Sequence, residues 1–253
     1  MQKLTLEEYF AGTSLPDLLV ELGAQKVDFL VKEINHFTEK EAEKRDEIAL
    51  SYFGEKGVKQ IINLVSARLD SRPKLRQTAN ILDMGAGSGF FTTRIASKLK
   101  RHLPHVTFYA MDATPAMLLV LARKRQRIIP FFGIAENING SLEKAQEYAT
   151  IPSSFDALFS TLMLHHCPDI RGVFKSVRQV VKPNGKAVIV DMCTHSFTEF
   201  KEEMGDVHLG FDPEQIERAA GKMFSKVTVQ KLLGICCSSS GRCAELFIAT
   251  LKP

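Results

Sequence analysis

The sequence predicts an α/β fold: a mostly parallel seven-stranded sheet with helices on both faces, an antiparallel last strand, and a helical segment in front. Three observations carry this. From Asn80 onward, short apolar runs alternate with amphipathic stretches. A glycine-rich run stands where the first of those strands meets a helix. The last two apolar runs have only Cys236 to Cys243 between them, too short for a parallel crossover.

Residues 1–78 read as a helical cap. Leu18, Leu19 and Leu22, then Val27, Leu30, Val31 and Ile34, recur near helical spacing. Thr38-Glu39-Lys40-Glu41 is a capping box that starts a new helix. Val58, Ile61, Ile62 and Val65 share one face until Asp70-Ser71-Arg72-Pro73 breaks the pattern. Such a cap suits either a lid over a cleft or the surface of a homodimer.

Residues 79–253 form the second unit. Its strand candidates are Ile81–Asp83, Val106–Met111, Ile128–Ile134, Ala157–Leu164, Ala187–Asp191, Val227–Leu232 and Glu245–Leu251. Thr114-Pro115 and Asp212-Pro213 open helices with a cap residue and a first-turn proline. Lys182-Pro183-Asn184-Gly185 ends one helix and turns into the next strand.

Composition narrows the class. The chain has 253 residues, 45% of them hydrophobic and 25% charged, which suits one large folded domain with an appendage. A net charge of +4 is too small to mark a nucleic-acid surface by itself. The basic clusters Arg94, Lys98, Lys100, Arg101 and Arg123, Lys124, Arg125, Arg127 end helices, where cations complement the dipole. No apolar run approaches the ~20 residues that span a bilayer. Met1 to Glu8 holds no signal-peptide core, so a cytoplasmic protein without a membrane partner is expected. Five cysteines, an odd number, read as reduced thiols.

Ile81-Leu82-Asp83-Met84-Gly85-Ala86-Gly87-Ser88-Gly89-Phe90 spaces its glycines G-x-G-x-G, with Phe90 where a dinucleotide fingerprint places its third glycine. Asp83 would repel a pyrophosphate but can hold an ammonium. This argues against an NAD(P)-dependent dehydrogenase. Asp112, at the end of the second strand, suits two ribose hydroxyls.

These residues resemble the first motifs of the class I S-adenosylmethionine-dependent methyltransferases. The resemblance runs from about Asn80 to Pro253 and is nearest to the small-molecule branch of quinone-biosynthesis and arsenite enzymes. Phe155-Asp156-Ala157-Leu158-Phe159-Ser160-Thr161-Leu162-Met163-Leu164-His165-His166 resembles the fourth motif. Val180 to Lys186, followed by Asp191, resembles the next landmark. The implied fold is Rossmann-like and the implied cofactor is S-adenosylmethionine. The implied cofactor residues are Asp83, Gly85, Ala86, Gly87, Gly89, Asp112, Ala113, Met117 and Thr161. Where the family often has Gly-Asp-Ala, this chain has Gly133-Ile134-Ala135, which passes the adenine contact to Ala135, Glu136 or Asn137. Tyr52 falls where relatives touch the methionine end of the cofactor.

The acceptor is read as a small molecule. An Asn/Asp-Pro-Pro-Tyr motif is absent after the fourth strand, which counts against base nitrogens of nucleic acid. RNA or protein acceptors, and a non-catalytic cofactor-binding protein, are the alternatives. His195 is the first acid–base candidate and His165 the second. His195 opens a polar stretch with Glu199, Glu202, Glu203, Asp206 and His208 that resembles methyltransferases fused to metalloregulatory repressor domains. All five cysteines fall at the carboxyl ends of strands, which suits arsenite or another thiophilic acceptor. Inert packing thiols are the competing and heavier reading, and no metal-ligand spacing is present.

Overall fold

A computed structural model describes residues 4–124 and 126–253, except the side chains of Phe29, Glu33, His36, Glu202, Glu203 and Met204. Arg125, and the side chains of Glu202 and Glu203, therefore lie outside the described residues.

Four helices come first: α1 (Leu6–Ala11), α2 (Leu15–Glu21), α3 (Val27–His36) and α4 (Glu39–Leu69). The capping box at Thr38 forms: Thr38 N donates to Glu41 Oε2 at 2.8 Å, and Glu41 N donates back to the Thr38 hydroxyl at 3.4 Å. Gly54 breaks α4 with a φ of 60°, so two helical halves meet at an angle.

The sheet follows: β1 (Asn80–Met84), β2 (Thr107–Asp112), β3 (Ile128–Phe132), β4 (Phe155–Thr161), β5 (Val181–Met192), β6 (Lys226–Ser239) and β7 (Arg242–Lys252). Between the strands lie α5 (Phe90–Leu99), α6 (Pro115–Arg123), α7 (Ile138–Ala145), α8 (Ile170–Val180), α9 (Glu199–Met204) and α10 (Pro213–Ala220). The strand order is β3-β2-β1-β4-β5-β7-β6, with β7 antiparallel to both its neighbours. The order reverses between β1 and β4, which opens a crevice at their carboxyl ends.

Each sheet face has its own core. One packs Leu118, Ile138, Leu142, Phe174 and Val177 with Leu18, Leu19 and Leu22 of the N-terminal helices. The other packs Phe90, Ile95, Phe108 and Phe159 with Val58, Ile61, Val65 and Leu69 of α4. On α8, Val173, Phe174, Val177 and Val180 are buried, an i, i+1, i+4, i+7 stripe. Each such side chain contributes roughly 1.5–3 kcal/mol. The N-terminal helices are thus part of both layers. The basic cluster near α6 pairs with them: Arg123 meets Glu39 and Glu43, and Lys124 Nζ lies 2.7 Å from Asp46 Oδ2.

Several boundaries differ from the sequence reading: β3 stops at Phe132 rather than Ile134, β5 begins at Val181 rather than after the expected turn at 182–185, and two others change the course of the chain. The strand expected to run to Leu164 stops at Thr161, because Leu162 takes a left-handed φ of 58° and Leu164–His166 curls into a 3₁₀ turn. The expected loop from Cys236 to Cys243 is instead the end of a long hairpin. Pairing shifts register between Leu232 and Cys236, where Gly234 has a φ of 73°, then resumes to a two-residue turn at Ser240 and Gly241.

Candidate active site

Two cavities open at the carboxyl ends of β1 and β4. The first is lined by Asp112, Ala113, Met117, Ala135, Glu136 and Cys167, under Leu30, Ile34 and Phe37 of the cap. The second is lined by Tyr52, Phe53, Phe90, Phe91, His165 and Cys237. Arg45, Gly85, Gly87, Leu162 and His166 border both, so the two spaces meet at the glycine loop.

The loop owes its shape to its glycines. Gly85, Gly87 and Gly89 have φ of 75°, 53° and 80°, a region costly for other residues. A Cβ on Gly87 would meet nothing within 4 Å, whereas one on Gly89 would stand 2.3 Å from Leu121 Cδ1. Gly87 therefore faces open space, and Gly89 belongs to the packing of α5 against α6. Gly89 lines neither cavity.

Asp112 holds the loop in place. Its Oδ2 accepts from Gly87 N at 2.7 Å and its Oδ1 from Thr114 N at 2.8 Å. Burial raises its pKa, and these two amides work the other way. Asp83 lies beneath, 1% exposed and outside both linings. The Thr92 hydroxyl donates to its Oδ2 at 2.6 Å, while its Oδ1 is buried without a partner. Burial pushes the Asp83 carboxyl up to about 8.

At the far end of the first cavity, Ile134 and Ala135 are buried and Glu136 lines the wall. Burial raises the Glu136 pKa. Asn137 does not contribute to the wall. Its Oδ1 accepts from Gly140 N to cap α7, and its amide donates to Leu22 O at 2.9 Å, so helix capping claims this side chain. Ala86, Thr161 and Tyr52 line the second cavity rather than the first.

The histidines separate into two groups. His166 lies at the junction of the cavities, with His165 beside it in the second. His165 Nδ1 is 2.7 Å from Asp191 Oδ1, and His166 Nδ1 is 3.1 Å from Gly205 O. Burial opposes charge on His165, but the Asp191 carboxylate outweighs it and raises the pKa. Burial, and then neighbouring His165, take His166 well below its ordinary value. Asp206 is also buried, which raises its carboxyl to about 6.

His195 is not among them, which corrects its place as first acid–base candidate. It stacks on Phe197, and its Nδ1 accepts from Phe197 N at 3.3 Å. It lines a separate cleft with Cys193 and Cys243. The cause is backbone pairing: Thr194 N and His195 N donate to Phe211 O and Leu209 O, which turns the segment away from the glycine loop. Glu199 points outward to Arg242, and His208 Nε2 bonds Cys167 O at 3.0 Å.

The cysteines do not converge either. Cys167 and Cys237 border different cavities, and Cys193 borders the third cleft. Cys236 and Cys243 form a disulfide across the β6–β7 hairpin, against the reading of five reduced thiols. Cross-strand register brings the pair together, which sequence spacing did not reveal. Arg45, which borders both cavities, is absent from the sequence candidates. It sits in a charged run that reads like any solvated helix face, yet its guanidinium lies 5.6 Å from the Phe37 ring and 6.0 Å from Tyr52.

A family model described as a methyltransferase domain matches residues 82–189. The chain is 31% identical over 167 residues to the mitochondrial ubiquinone biosynthesis O-methyltransferase of Schizosaccharomyces pombe, covering 63% of this chain and 54% of that one. It is 25% identical over 186 residues to the ubiquinone/menaquinone biosynthesis C-methyltransferase UbiE of Rickettsia peacockii, covering 71% and 67%. Against the first of these the chain spans about half the relative's length. Among solved structures, phosphoethanolamine N-methyltransferase 2 of Haemonchus contortus, bound to S-adenosyl-L-methionine, superimposes with a TM-score of 0.62 at 18% identity. That match covers 95% of this chain and 60% of that one, and it establishes the fold alone.

Proposed function

We propose that this chain, whose residues 82–189 are a methyltransferase domain of the class I, S-adenosylmethionine-dependent kind, moves a methyl group to a small molecule held in the second cavity. The observation that carries this reading is the meeting of the two cavities at Gly85, Gly87, Leu162 and His166. A donor in one space and an acceptor in the other would touch only there.

The residues present fit the cofactor. Asp112 has lone pairs left for ribose hydroxyls, and Ala135, Glu136 and Met117 form an end wall for adenine. The orphaned Asp83 Oδ1 lies beneath the cavities and outside their walls, so the ammonium of the amino-acid end would reach it through a local shift of the glycine loop. Among the described residues Arg45 is the one guanidinium bordering both cavities, and it suits the neighbouring carboxylate.

The cofactor, when bound, supplies an electrophilic methyl on a sulfonium. The acceptor's lone pair forms the new bond to carbon as the carbon–sulfur pair withdraws to sulfur, and a thioether leaves. What the protein does is align the two and exclude water. Aromatic Tyr52, Phe53, Phe90 and Phe91 give the second cavity an apolar wall, while His165 and His166 give it one polar end. This pairing suits a small aromatic or apolar molecule with an ionisable hydroxyl at the histidine end. Both relatives are named for quinone biosynthesis, which supports a small-molecule acceptor; one is an O-methyltransferase and the other a C-methyltransferase. The scattered cysteines offer no three-thiol site for arsenite. A cytoplasmic setting is part of this reading, and the Cys236–Cys243 disulfide is the feature that counts against it.

The test is transfer of a labelled methyl from S-adenosylmethionine to a panel of phenols, catechols, thiols and arsenite. Turnover confined to hydroxyl acceptors supports the reading. Turnover of arsenite or thiols alone overturns the acceptor class.

A further inference from the structure

The polar end of the second cavity is built in a way that methyl transfer alone does not require. His165 Nδ1 faces the Asp191 carboxylate, and His166 Nδ1 faces a backbone carbonyl. Both partners accept, so each Nδ1 carries the proton; His166 Nε2 is left with a lone pair, and His165 Nε2, which faces Asp206 Oδ1, has one when that ring is neutral. Asp191 is itself anchored, since its Oδ1 also accepts from Met192 N at 2.7 Å. Asp206, which borders a separate cleft and not the second cavity, completes the group from behind. Its side chain is fully buried, and neither carboxylate oxygen has a hydrogen-bond partner. One ligand atom from each of His165, His166 and Asp206 lies within 4.8 Å of the other two.

We propose that His165, His166 and Asp206 bind a divalent first-row transition-metal ion of the zinc type. Histidines whose outer nitrogens are tied to a carboxylate or a carbonyl are the arrangement metal-binding imidazoles use. Two imidazole nitrogens and one carboxylate form a three-ligand set that leaves a fourth position open. Spacing agrees. Ligands about 2.05 Å from an ion at a tetrahedral angle stand about 3.4 Å apart, and His165 Nε2 lies 3.4 Å from Asp206 Oδ1. The scaffold is rigid: Val207 N and His208 N both donate to His165 O, at 3.1 and 2.9 Å, which fastens the segment carrying Asp206 to the turn carrying the histidines.

The competing arrangement is an imidazolium at His165 lying between Asp191 and Asp206. It pairs Asp206 Oδ1 with His165 Nε2 at 3.4 Å, but that contact is not a hydrogen bond and Oδ2 is left without a partner. An ion supplies the partner that is missing. It deepens the reading of the second cavity and rests on it only for its use: a Lewis acid there lowers the pKa of an acceptor hydroxyl. Binding of the ion does not depend on that use.

The experiment strips the full chain with a chelator and titrates it with Zn²⁺ by calorimetry and with Co²⁺ by visible absorption. The expected result is one ion per chain and the intense ligand-field bands of a low-coordinate Co²⁺ site. His165→Ala and Asp206→Ala abolish it. Asp191→Asn, which removes no ligand, weakens Zn²⁺ binding about 10- to 100-fold. Each variant is checked by circular dichroism and by binding of S-adenosylhomocysteine. Retained cofactor binding shows that the fold and first cavity are intact, and His166→Ala replaces any variant that unfolds. No stoichiometric binding by the folded wild-type chain overturns the proposal. So does binding that survives both His165→Ala and Asp206→Ala.

Discussion

The proposed ammonium contact at Asp83 predicts that cofactor binding releases a proton. In the free protein its carboxyl is buried, has one unpartnered oxygen, and titrates at about 8. An ammonium against Oδ1 requires the ionised form. Below pH 8 the cofactor must therefore expel a proton, and affinity falls about tenfold per pH unit. Between pH 8 and pH 6 the apparent dissociation constant should rise about 50-fold. At pH 7 about 0.9 proton should leave per cofactor bound, read by calorimetry in buffers of different ionisation enthalpy. The stability of the free chain carries the same sign. Its folded carboxyl titrates above the unfolded value, so the folded state retains a proton the unfolded state loses, and stability falls as pH climbs from about 4 to 8. Asp83→Asn keeps the Thr92 bond but cannot ionise. It should flatten the pH dependence and weaken binding at pH 8 about 10- to 100-fold. Equal proton release in wild type and Asp83→Asn would refute the reasoning.

Gly89→Ala should destabilise the chain more than it harms cofactor affinity, because its Cβ meets Leu121 at 2.3 Å. Overpacking of about 1–3 kcal/mol plus about 1–2 kcal/mol of left-handed strain predicts a Tm loss of roughly 5–15 °C by calorimetry. Gly87→Ala reverses the order: a loss of a few degrees, since its Cβ meets nothing, but weaker S-adenosylhomocysteine binding as the methyl enters the cavity. His195→Ala should leave methyl transfer within about twofold of wild type, because the ring lies in another cleft; a loss of turnover at unchanged stability would return it to the reaction. Alkylation of oxidised, denatured protein should tag only Cys167, Cys193 and Cys237 by mass spectrometry, and tag Cys236 and Cys243 only after reduction.

Where backbone conformation dictates residue type, the sequence was legible. Gly85, Gly87 and Gly89 announce a left-handed loop, Thr38 and Glu41 announce a helix start, and the short last connection announces an antiparallel strand. The place of Asp112 at the end of the second strand was legible, since the apolar run stops there. What depends on long-range packing was not. Arg45 is one cation in a charged helix, and only the kink and docking of α4 bring it to both cavities. His195 looked better than His165 in sequence, but pairing of Thr194 and His195 with the Leu209–Phe211 segment decides its direction. Asp206 appeared as one acid among several, and its burial beside His165 comes from hydrogen bonds at Val207 and His208. Asn137 has the right chemistry for adenine, but capping α7 occupies its carbonyl oxygen.

The most direct test of the whole account is calorimetric titration with S-adenosylmethionine and S-adenosylhomocysteine, beside NADH and the Asp112→Ala variant. The account predicts one adenosyl ligand per chain, binding weakened at least about tenfold by Asp112→Ala, a buried charged hydrogen-bond acceptor being worth about 1.5–3 kcal/mol, and no heat with NADH. Absent adenosyl binding, or binding indifferent to Asp112→Ala, would contradict it.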